Sequence, residues 1–320
     1  MCGGGKTTIT LYTKLEQRTY ASWDRIVTLH IKDDAMMLFL CLITECEESF
    51  LLLLIFSFIF AIIKKADSIR NKRSEYEGER SMALKICDMH SHLLPGIDDG
   101  AQDMEETMQA LQEAYRQGIR AVIATPHYYP ERYETEAQTV LELCRQVKSR
   151  CRQEGLDIRI YPGQECFYYS ELADKLDRGE ILTLAGSRYV LIEFLPDCPY
   201  VQLYQGLTQL QQRGYYPVLA HFERYKCLER EEHLQELKSR GILLQMNFDT
   251  FTAKRHWFQK NYWGSLLQSG IIDLVGSDCH GTHFRPYHAQ ESLQWMEKHV
   301  KPEIRQRILV RNIQKILRKE

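Results

Sequence analysis

Side chains of the types that bind divalent cations recur along the chain at regular intervals. His90 and His92, separated by one residue, open the series, and Asp278 with His280 repeats that spacing near its end. On an extended strand, residues two apart point to the same face, so each pair presents two ligand groups together. Imidazole and carboxylate ligands without cysteine favour Mn, Fe or Zn over a thiolate-rich structural zinc site. The members of the series are His90, His92, His127, Glu165, Glu193, His221, Asp278 and His280.

Each member of this series lies where a short apolar or β-branched run ends. The runs alternate with amphipathic stretches of helical periodicity, such as residues 103–117, 136–154 and 229–240. Consecutive ligands from His92 to His221 are 28 to 38 residues apart, about the length of one strand–helix unit, and the next step of 57 residues passes over a run that ends at Asn247. The predicted strands are 84–87, 121–124, 158–161, 189–192, 217–220, 242–246 and 271–275, and the predicted final helices are 287–299 and 302–318.

Seven strand–helix units predict an α/β fold with a parallel sheet that is buried on both faces and closes into a barrel. In such barrels the carboxyl ends of the strands carry the chemistry. The predicted ligands should therefore meet at one mouth of the barrel.

A packed core is a poor alternative explanation for this set of side chains. One strand-end histidine usually caps a strand or fills a core, and one glutamate usually forms a salt bridge. Five histidines and several carboxylates facing one cavity would leave unpaired buried charges, each costing about several kcal/mol. Because divalent cations would offset that cost, the joint arrangement predicts a metal centre.

The composition limits the classes of partner. The chain has 320 residues, with 41 basic and 43 acidic side chains, so no basic surplus exists to bind a phosphate backbone. Nucleic acid is therefore not the expected partner. The ten cysteines form no C-x-x-C pair, which favours a reducing compartment with free thiols.

Residues 1–81 differ from the rest of the chain, and we predict an N-terminal extension there and a single domain over 82–320. The apolar run 50–63 is too short to span a bilayer comfortably, since 14 helical residues cover about 21 Å. One hypothesis is that residues 1–81 are a mistranslated leader and that the protein begins at Met82. The alternative is a weak membrane anchor or disordered extension, with membrane contact only if residues 50–63 insert. Both place the domain in the cytoplasm, the second at the inner face of the membrane.

Residues 86–320 resemble the bacterial manganese-dependent tyrosine phosphatases of capsular and exopolysaccharide operons, the CpsB/CapC type of the polymerase and histidinol phosphatase (PHP) superfamily. The Ile-Asp-Asp-Gly and Glu-Arg-Tyr elements are the more family-specific part of the match. The matching segments are Asp-Met-His-Ser-His-Leu-Leu-Pro-Gly-Ile-Asp-Asp-Gly at 88–100, Thr-Pro-His at 125–127, Gly-Gln-Glu at 163–165, Leu-Ile-Glu-Phe at 191–194, His-Phe-Glu-Arg-Tyr at 221–225, and Gly-Ser-Asp-Cys-His-Gly with Arg-Pro at 276–286.

The resemblance implies a distorted seven-stranded PHP-type barrel that holds three divalent metal ions, Mn in the first place and Fe or Zn as alternatives. It also implies phosphate-gripping roles for Arg224 and Arg285, and regulation of capsule synthesis by dephosphorylation of the tyrosine-rich tail of a polysaccharide-export autokinase. The implied ligand sets are His90, His92, Glu165 and Asp278 for the first ion, Glu165, Glu193 and His221 for the second, and Asp99, His127 and His280 for the third.

The predicted mechanism is metal-assisted hydrolysis of a phosphotyrosine ester. Ions about 3.5 to 4 Å apart can share a hydroxide and lower its pKa from about 15.7 towards 7, which produces a nucleophile at neutral pH. The leaving phenolate, with a parent pKa near 10, needs less acid assistance than an alkoxide. The segment Phe167–Tyr169 is either an aromatic wall for the substrate ring or part of the core.

Other functions remain open from the sequence. A small-molecule phosphatase of the histidinol phosphate type would use the same cage, whereas a nuclease or proofreading module is disfavoured by the charge balance. A non-catalytic binding protein would keep the ligands unused. A cysteine-dependent phosphatase needs Cys-x5-Arg on a phosphate-binding loop, and two matches exist, Cys144 with Arg150 and Cys279 with Arg285. The first lies in a predicted helix, and Asp278 would raise the pKa of the Cys279 thiol.

Overall fold

The computed structural model describes residues 7–11, 27–31, 86–251 and 257–319. The chain divides into two compact units, Met1–Arg80 and Ser81–Glu320. In the first, β1 (Thr7–Leu11) pairs antiparallel with β2 (Val27–Ile31). The apolar run 50–63, on which the membrane hypothesis depends, lies outside the described residues. None of the helices in the described ranges is long and apolar enough to cross a membrane.

The second unit alternates strands and helices, which confirms the predicted α/β class. Its strand pairs are all parallel among the residues described, in a six-stranded order β11-β10-β9-β8-β7-β5 and a three-stranded order β3-β4-β6. The strands are β3 (Cys87–Asp88), β4 (Ala121–Ala124), β5 (His127–Tyr128), β6 (Arg159–Pro162), β7 (Glu165–Phe167), β8 (Tyr189–Glu193), β9 (Tyr216–Leu219), β10 (Leu243–Asn247) and β11 (Leu274–Gly276).

Two of the predicted strands continue beyond a short break. β4 resumes as β5 after Thr125 and Pro126, and β6 resumes as β7 after Gly163 and Gln164. The first halves, β4 and β6, pair with each other, and so do the second halves, β5 and β7. Proline has no N–H to donate to a ladder, which accounts for the first break. The second half of each strand begins with a predicted metal ligand.

The first and last strands of the second unit, β3 and β11, approach each other just past their carboxyl ends. Ser91 and Cys279 form a parallel bridge, with the His92 N–H donating to the Cys279 carbonyl at 2.8 Å. The Asp278 N–H donates to the His90 carbonyl at 2.8 Å. The backbone therefore brings both ends of the predicted ligand series together.

Helices cover the outer face of the strands. Met104–Arg116 begins at Asp103, whose side chain accepts the Glu106 N–H, as an N-cap requires. The predicted final helix 302–318 is instead three segments, with a π-helical stretch at Arg307–Arg311 between Pro302–Gln306 and Asn312–Arg318. The other described helices are Ala137–Gln153, Leu172–Asp177, Tyr200–Gln212, Glu231–Ser239, Trp257–Ser269 and Gln290–His299, with 3-10 turns at Leu184–Gly186, Phe222–Arg224, Lys226–Leu228 and Phe248–Phe251.

Buried apolar side chains alternate between the two faces of the strands. In β4, Ala121 and Ile123 join an inner cluster, whereas Val122 and Ala124 pack with the helices outside. Ile313 and Ile316 of the last helix belong to the same inner cluster. The interior is therefore filled with apolar side chains up to the carboxyl ends of the strands, where the polar residues begin.

Candidate metal centre

The predicted ligands lie together at the carboxyl ends of the strands. His90 and His92 follow β3, and Asp278 and His280 follow β11. His127 begins β5, Glu165 begins β7 and Glu193 is the last residue of β8. Asp99 and His221 lie outside the strands. The structure thus brings together His90, His92, Asp99, His127, Glu165, Glu193, His221, Asp278 and His280.

One group of possible ligands combines His90, His92, Glu165 and Asp278, all buried, with ligand atoms within 4.8 Å of one another. The Nε2 atoms of the two histidines are 3.2 Å apart, and they lie 3.1 and 3.2 Å from Glu165 Oε2. Asp278 Oδ1 is 3.5 Å from both Nε2 atoms. This is the set that the resemblance implied for the first ion.

Two further groups share residues with the first. His127 Nδ1 lies 3.2 Å from Glu165 Oε2 and 3.2 Å from Glu193 Oε1, so these three side chains form one group. His221 stands beside it, with Nε2 2.9 Å from Glu165 Oε1 and 3.7 Å from Glu193 Oε2. The remaining group consists of His92, Asp99, His127 and His280.

Divalent cations fit this donor set. The buried atoms His127 Nδ1, Glu165 Oε2 and His221 Nδ1 have no hydrogen-bond partner, although buried polar atoms are normally paired. Imidazole nitrogens and carboxylate oxygens aimed at one point are the usual ligands of Mn, Fe and Zn. A cation beside His127 Nδ1 and Glu165 Oε2, which lie 3.2 Å apart, would satisfy two of these three atoms.

A second layer of polar groups orients the imidazoles. His92 Nδ1 lies 2.8 Å from Asp98 Oδ2, and His90 Nδ1 lies 3.0 Å from Gln245 Oε1. His280 Nδ1 lies 2.9 Å from the Asp278 carbonyl. In each case Nδ1 has its partner, which leaves Nε2 for a metal ion, as in carboxylate–histidine–metal triads.

This second layer is not among the residues predicted from the sequence. Asp98 lies within the matching segment 88–100, and the predicted strand that is followed by Asn247 carries no predicted ligand. That strand supplies Gln245, and Asn247 Nδ2 donates to Asp278 Oδ2 at 2.9 Å. A weak signal was present, because Gln245 and Asn247 are two apart at a strand end, like the histidine pair.

Close packing of acids and imidazoles shifts their proton affinities. Burial would raise the pKa of Glu165, but the charges of His90 and His127 outweigh it and hold the pKa well below its usual range. For His221, burial lowers the pKa, and hydrogen bonds to Glu165 and Glu193 raise it to about 9. Without metal, protons on the imidazoles compensate the carboxylates, so metal ions and protons compete for this site.

A cavity of about 200 Å³ opens onto these groups. Arg224 and Arg285 line it. Seven of the predicted ligands also line it: Asp99, His127, Glu165, Glu193, His221, Asp278 and His280. Both guanidinium groups donate to Asp278 Oδ2, the Arg285 bond being 2.7 Å long. Asp278 thus presents Oδ1 to the two histidines and Oδ2 to the two arginines.

The cysteine-dependent alternative finds no support in the geometry. Cys279 is buried, its thiol donates to the Gly281 carbonyl, and burial and the charge of Asp88 raise its pKa. It does not line the cavity. Cys144 lies inside the helix Ala137–Gln153, where burial raises its pKa to about 12. Neither thiol is an available nucleophile.

The aromatic segment Phe167–Tyr169 does not line the cavity. Tyr168 stacks on Phe194 with ring centroids 5.0 Å apart, and Phe167 stacks on Tyr129 at 4.2 Å. The tyrosines at the cavity are Tyr129 and Tyr133, which follow His127. Tyr168 is therefore part of the core, as one of the two alternatives predicted, whereas Phe167 packs against Tyr129, which lines the cavity.

Known proteins resemble the chain over its second unit. Residues 86–318 match the family described as capsular polysaccharide synthesis, CpsB/CapC. The tyrosine-protein phosphatase CpsB of Streptococcus pneumoniae is 33% identical over 238 residues, which cover 72% of this chain and 98% of that protein. The tyrosine-protein phosphatase YwqE of Bacillus subtilis is 33% identical over 236 residues, 73% of this chain and 92% of the relative.

The architecture is similar as well. A crystal structure from work on YwqE and CpsB, described there as unique metal-dependent tyrosine phosphatases, aligns with a TM-score of 0.68 at 33% identity. The alignment covers 73% of this chain and 95% of that one. Fold and sequence thus point to the same relatives.

Proposed function

The chain belongs to the CpsB/CapC family of capsular polysaccharide synthesis, and from this membership we infer that it is a metal-dependent tyrosine-protein phosphatase. Its relatives of known name carry that activity, and they are covered over almost their whole length. Within the structure, the observation that supports this inference is the cavity, where possible metal ligands and two arginines meet. The enzyme class is phosphoric monoester hydrolase.

We assign the ligands as the resemblance implied. His90, His92, Glu165 and Asp278 would hold one ion, and Glu165 with Glu193 and His221 would hold a second. Asp99, His127 and His280 would hold a third. The short distances from Glu165 to His90, His92, His127 and His221 support its place in two of these sets. Manganese is the proposed metal, with Fe or Zn as alternatives that the same donors accept.

The metal ions supply Lewis acidity towards the phosphate and towards water when they are bound. The protein supplies position. Arg224 and Arg285 each use one N–H group on Asp278 Oδ2 and keep further donors for the phosphate oxygens. A planar guanidinium can grip two such oxygens at once, which lysine cannot.

The substrate ester accounts for the modest demands on acid catalysis. A phenolate with an ordinary pKa near 10 leaves more readily than an alkoxide. The polar walls around the cavity hold the phosphate, and the apolar interior beneath excludes water from the other side. We propose that the phosphoprotein substrate is the tyrosine-rich tail of a polysaccharide-export autokinase, and nucleic acid is not a proposed partner.

We further propose that residues 82–320 form one PHP-type domain built on a distorted seven-stranded barrel. The joined strand pairs β4/β5 and β6/β7, together with the bridge between Ser91 and Cys279, support a closed ring of seven strands. Residues 1–81 are proposed as an extension outside this domain. A cytoplasmic location, at the inner face of the membrane if residues 50–63 insert, remains part of the proposal.

The test compares two substrates on one preparation. The full chain, with EDTA and with added Mn, is assayed on a phosphotyrosyl peptide and on histidinol phosphate. We expect Mn-dependent hydrolysis of the peptide that EDTA abolishes. Preferential turnover of histidinol phosphate would favour the small-molecule phosphatase, the second candidate. Turnover that EDTA does not reduce would refute the metal-dependent mechanism.

A further inference from the structure

One wall of the cavity carries neither a predicted ligand nor a predicted phosphate-binding arginine. It consists of Tyr129, Arg132 and Tyr133, which belong to the turn that follows β5. Resting on the proposed phosphatase function, we propose that Tyr129 and Tyr133 form a subsite for the aromatic ring of the phosphate ester. The subsite determines the preference of the enzyme for aryl over alkyl phosphates.

The turn has a fixed and costly shape. Tyr129 and Tyr133 exchange backbone hydrogen bonds of 2.7 and 2.8 Å, and the Arg132 N–H donates to the Tyr129 carbonyl at 3.1 Å. Pro130 and Glu131 occupy its two central positions, and Glu131 has a φ of 65°. A turn with proline followed by positive φ is type II, in which glycine normally takes the second position. A glutamate there is strained, and such strain is common at functional sites.

Side chains around the turn compensate for this strain. The Glu131 N–H donates to Glu134 Oε1 at 2.7 Å. Lys175 donates to the Tyr128 hydroxyl at 2.5 Å and lies 3.7 Å from Glu134. The turn is therefore tied to the helix Leu172–Asp177, and its two tyrosines are held in place at the cavity.

Each tyrosine is braced by a second aromatic ring. Phe167 stacks on Tyr129 with an interplanar angle of 29°, and the Tyr133 ring lies 5.8 Å from the His127 ring at 13°. Arg132 places its guanidinium 5.1 Å from the centre of the Tyr133 ring. Because His127 is also a proposed metal ligand, the aromatic wall adjoins the place where the phosphate binds.

The chemistry of the ester explains the use of such a wall. In an aryl phosphate, one oxygen atom separates the phosphorus from the ring, so a bound phosphate brings the ring into the same cavity. A flat ring gains from offset or edge contacts with tyrosine, whereas an alkyl chain has no π-face. The contacts should affect binding of the ring and leave binding of the phosphate group unchanged.

Binding of two non-hydrolysable ligands to the Mn-loaded full chain separates these effects. One is a peptide with phosphonomethyl-phenylalanine, and the other is methylphosphonate, which lacks a ring. For Tyr129→Ala and Tyr133→Ala, calorimetry should show the peptide Kd rising about 2- to 10-fold each, with the methylphosphonate Kd unchanged. Tyr129→Phe and Tyr133→Phe should restore the peptide Kd.

A matched control is available at the other end of the strands. Tyr216 is 47% exposed, begins β9 and packs against Tyr189 with ring centroids 5.1 Å apart, so Tyr216→Ala removes a comparable ring away from the cavity. It should change neither Kd. Equal weakening of both ligands in the cavity variants, or no change in either, would overturn the subsite.

The proposed function and the subsite fail in different ways. Wild-type protein that prefers the aryl phosphonate but hydrolyses no phosphotyrosine keeps the subsite and loses the phosphatase assignment. Wild-type protein that hydrolyses phosphotyrosine while the alanine variants bind both phosphonates normally keeps the phosphatase and loses the subsite. Wild-type protein that binds the aryl phosphonate no better than methylphosphonate also overturns the subsite.

Discussion

Asp98 gives the sharpest test of the second layer around the metal centre. Its Oδ2 lies 2.8 Å from His92 Nδ1 and accepts the His127 N–H at 2.9 Å, and its Oδ1 accepts the Gly100 N–H at 2.9 Å. Asp98→Asn keeps the size of the side chain but turns one acceptor into a donor. In either orientation of the amide at least one N–H group then faces another N–H group, and His92 loses its charged partner.

The magnitude follows from the proton affinity of Asp98. Burial raises its pKa, but the charge and hydrogen bond of His92 outweigh this and lower it from 3.8 to about 2. A depressed carboxyl pKa stabilises the fold at all pH values above the unfolded pKa, and that stability is lost as pH falls towards 2. At neutral pH the full contribution of about 2 kcal/mol is present. Loss of a partner in this layer also weakens metal binding about 10- to 100-fold.

Two measurements on Asp98→Asn check this reasoning. Urea unfolding in EDTA should show a loss of about 2 kcal/mol. Calorimetric titration with Mn should show that the variant binds Mn about 10- to 100-fold more weakly than the wild type. Asp103→Asn is the matched control, because Asp103 caps a nearby helix and asparagine caps equally well. If Asp98→Asn binds Mn as tightly as the wild type, Asp98 does not orient His92 for the metal.

Three other variants or conditions test the remaining assignments. Arg285→Lys keeps the charge but loses the planar guanidinium that can bind two phosphate oxygens, so kcat/KM on a phosphotyrosyl peptide should fall about 10-fold at unchanged Mn affinity. An unchanged kcat/KM would contradict the role of Arg285 in phosphate binding. Cys279→Ser should leave activity within a few-fold, since serine can also donate to the Gly281 carbonyl; lost turnover with metal still bound would transfer the role to the thiol. In the metal-free folded protein, the pKa of His221 is raised from 6.5 to about 9. The protonated imidazole therefore stabilises the fold fully below about pH 6.5, and this stabilisation is lost as the pH rises towards 9. Urea unfolding should show a decline of about 3 kcal/mol over that window, and a flat profile would be the contrary result.

The ligands could be predicted from the sequence because strand ends are visible in it. A run of apolar residues followed by a histidine or a carboxylate fixes both the strand and the position of its first polar side chain. Most predicted strands lie within two or three residues of those observed, and β4 coincides with its prediction at 121–124. Since parallel strands end at one edge, the polar residues could be placed together without knowing any distance.

The second layer could not be predicted in the same way. Gln245 contacts His90 because the tertiary fold brings residues 155 positions apart into reach. Nothing local distinguishes an amide that orients a ligand from one that faces solvent. The sequence leaves Phe167–Tyr169 open between an aromatic wall and the core for a similar reason, because a cluster of rings after Glu165 does not reveal which of them face the cavity. Tyr129 and Tyr133 follow His127 in the same pattern.

Two proposed metal ligands have a strained backbone, and both lie next to β10, the strand that carries no predicted ligand. His221 has a φ of 31° and Asp278 a φ of 51°, values that cost about 1–3 kcal/mol for residues other than glycine. Each lies two residues beyond the end of its strand, β9 or β11, and β10 lies between these strands in the sheet.

Both strained residues are held by side chains of β10. Gln245 Oε1 accepts the His221 N–H at 2.8 Å, and Asn247 Nδ2 donates to Asp278 Oδ2 at 2.9 Å. Gln245 Nε2 donates to Asn247 Oδ1 at 3.0 Å, so the two amides act as one unit. A strand that contributes no ligand therefore fixes two ligands on its neighbours in conformations that they would not adopt alone. Because Gln245 and Asn247 fix the positions of His221 and Asp278 through hydrogen bonds within the protein, binding energy need not be used to hold them there.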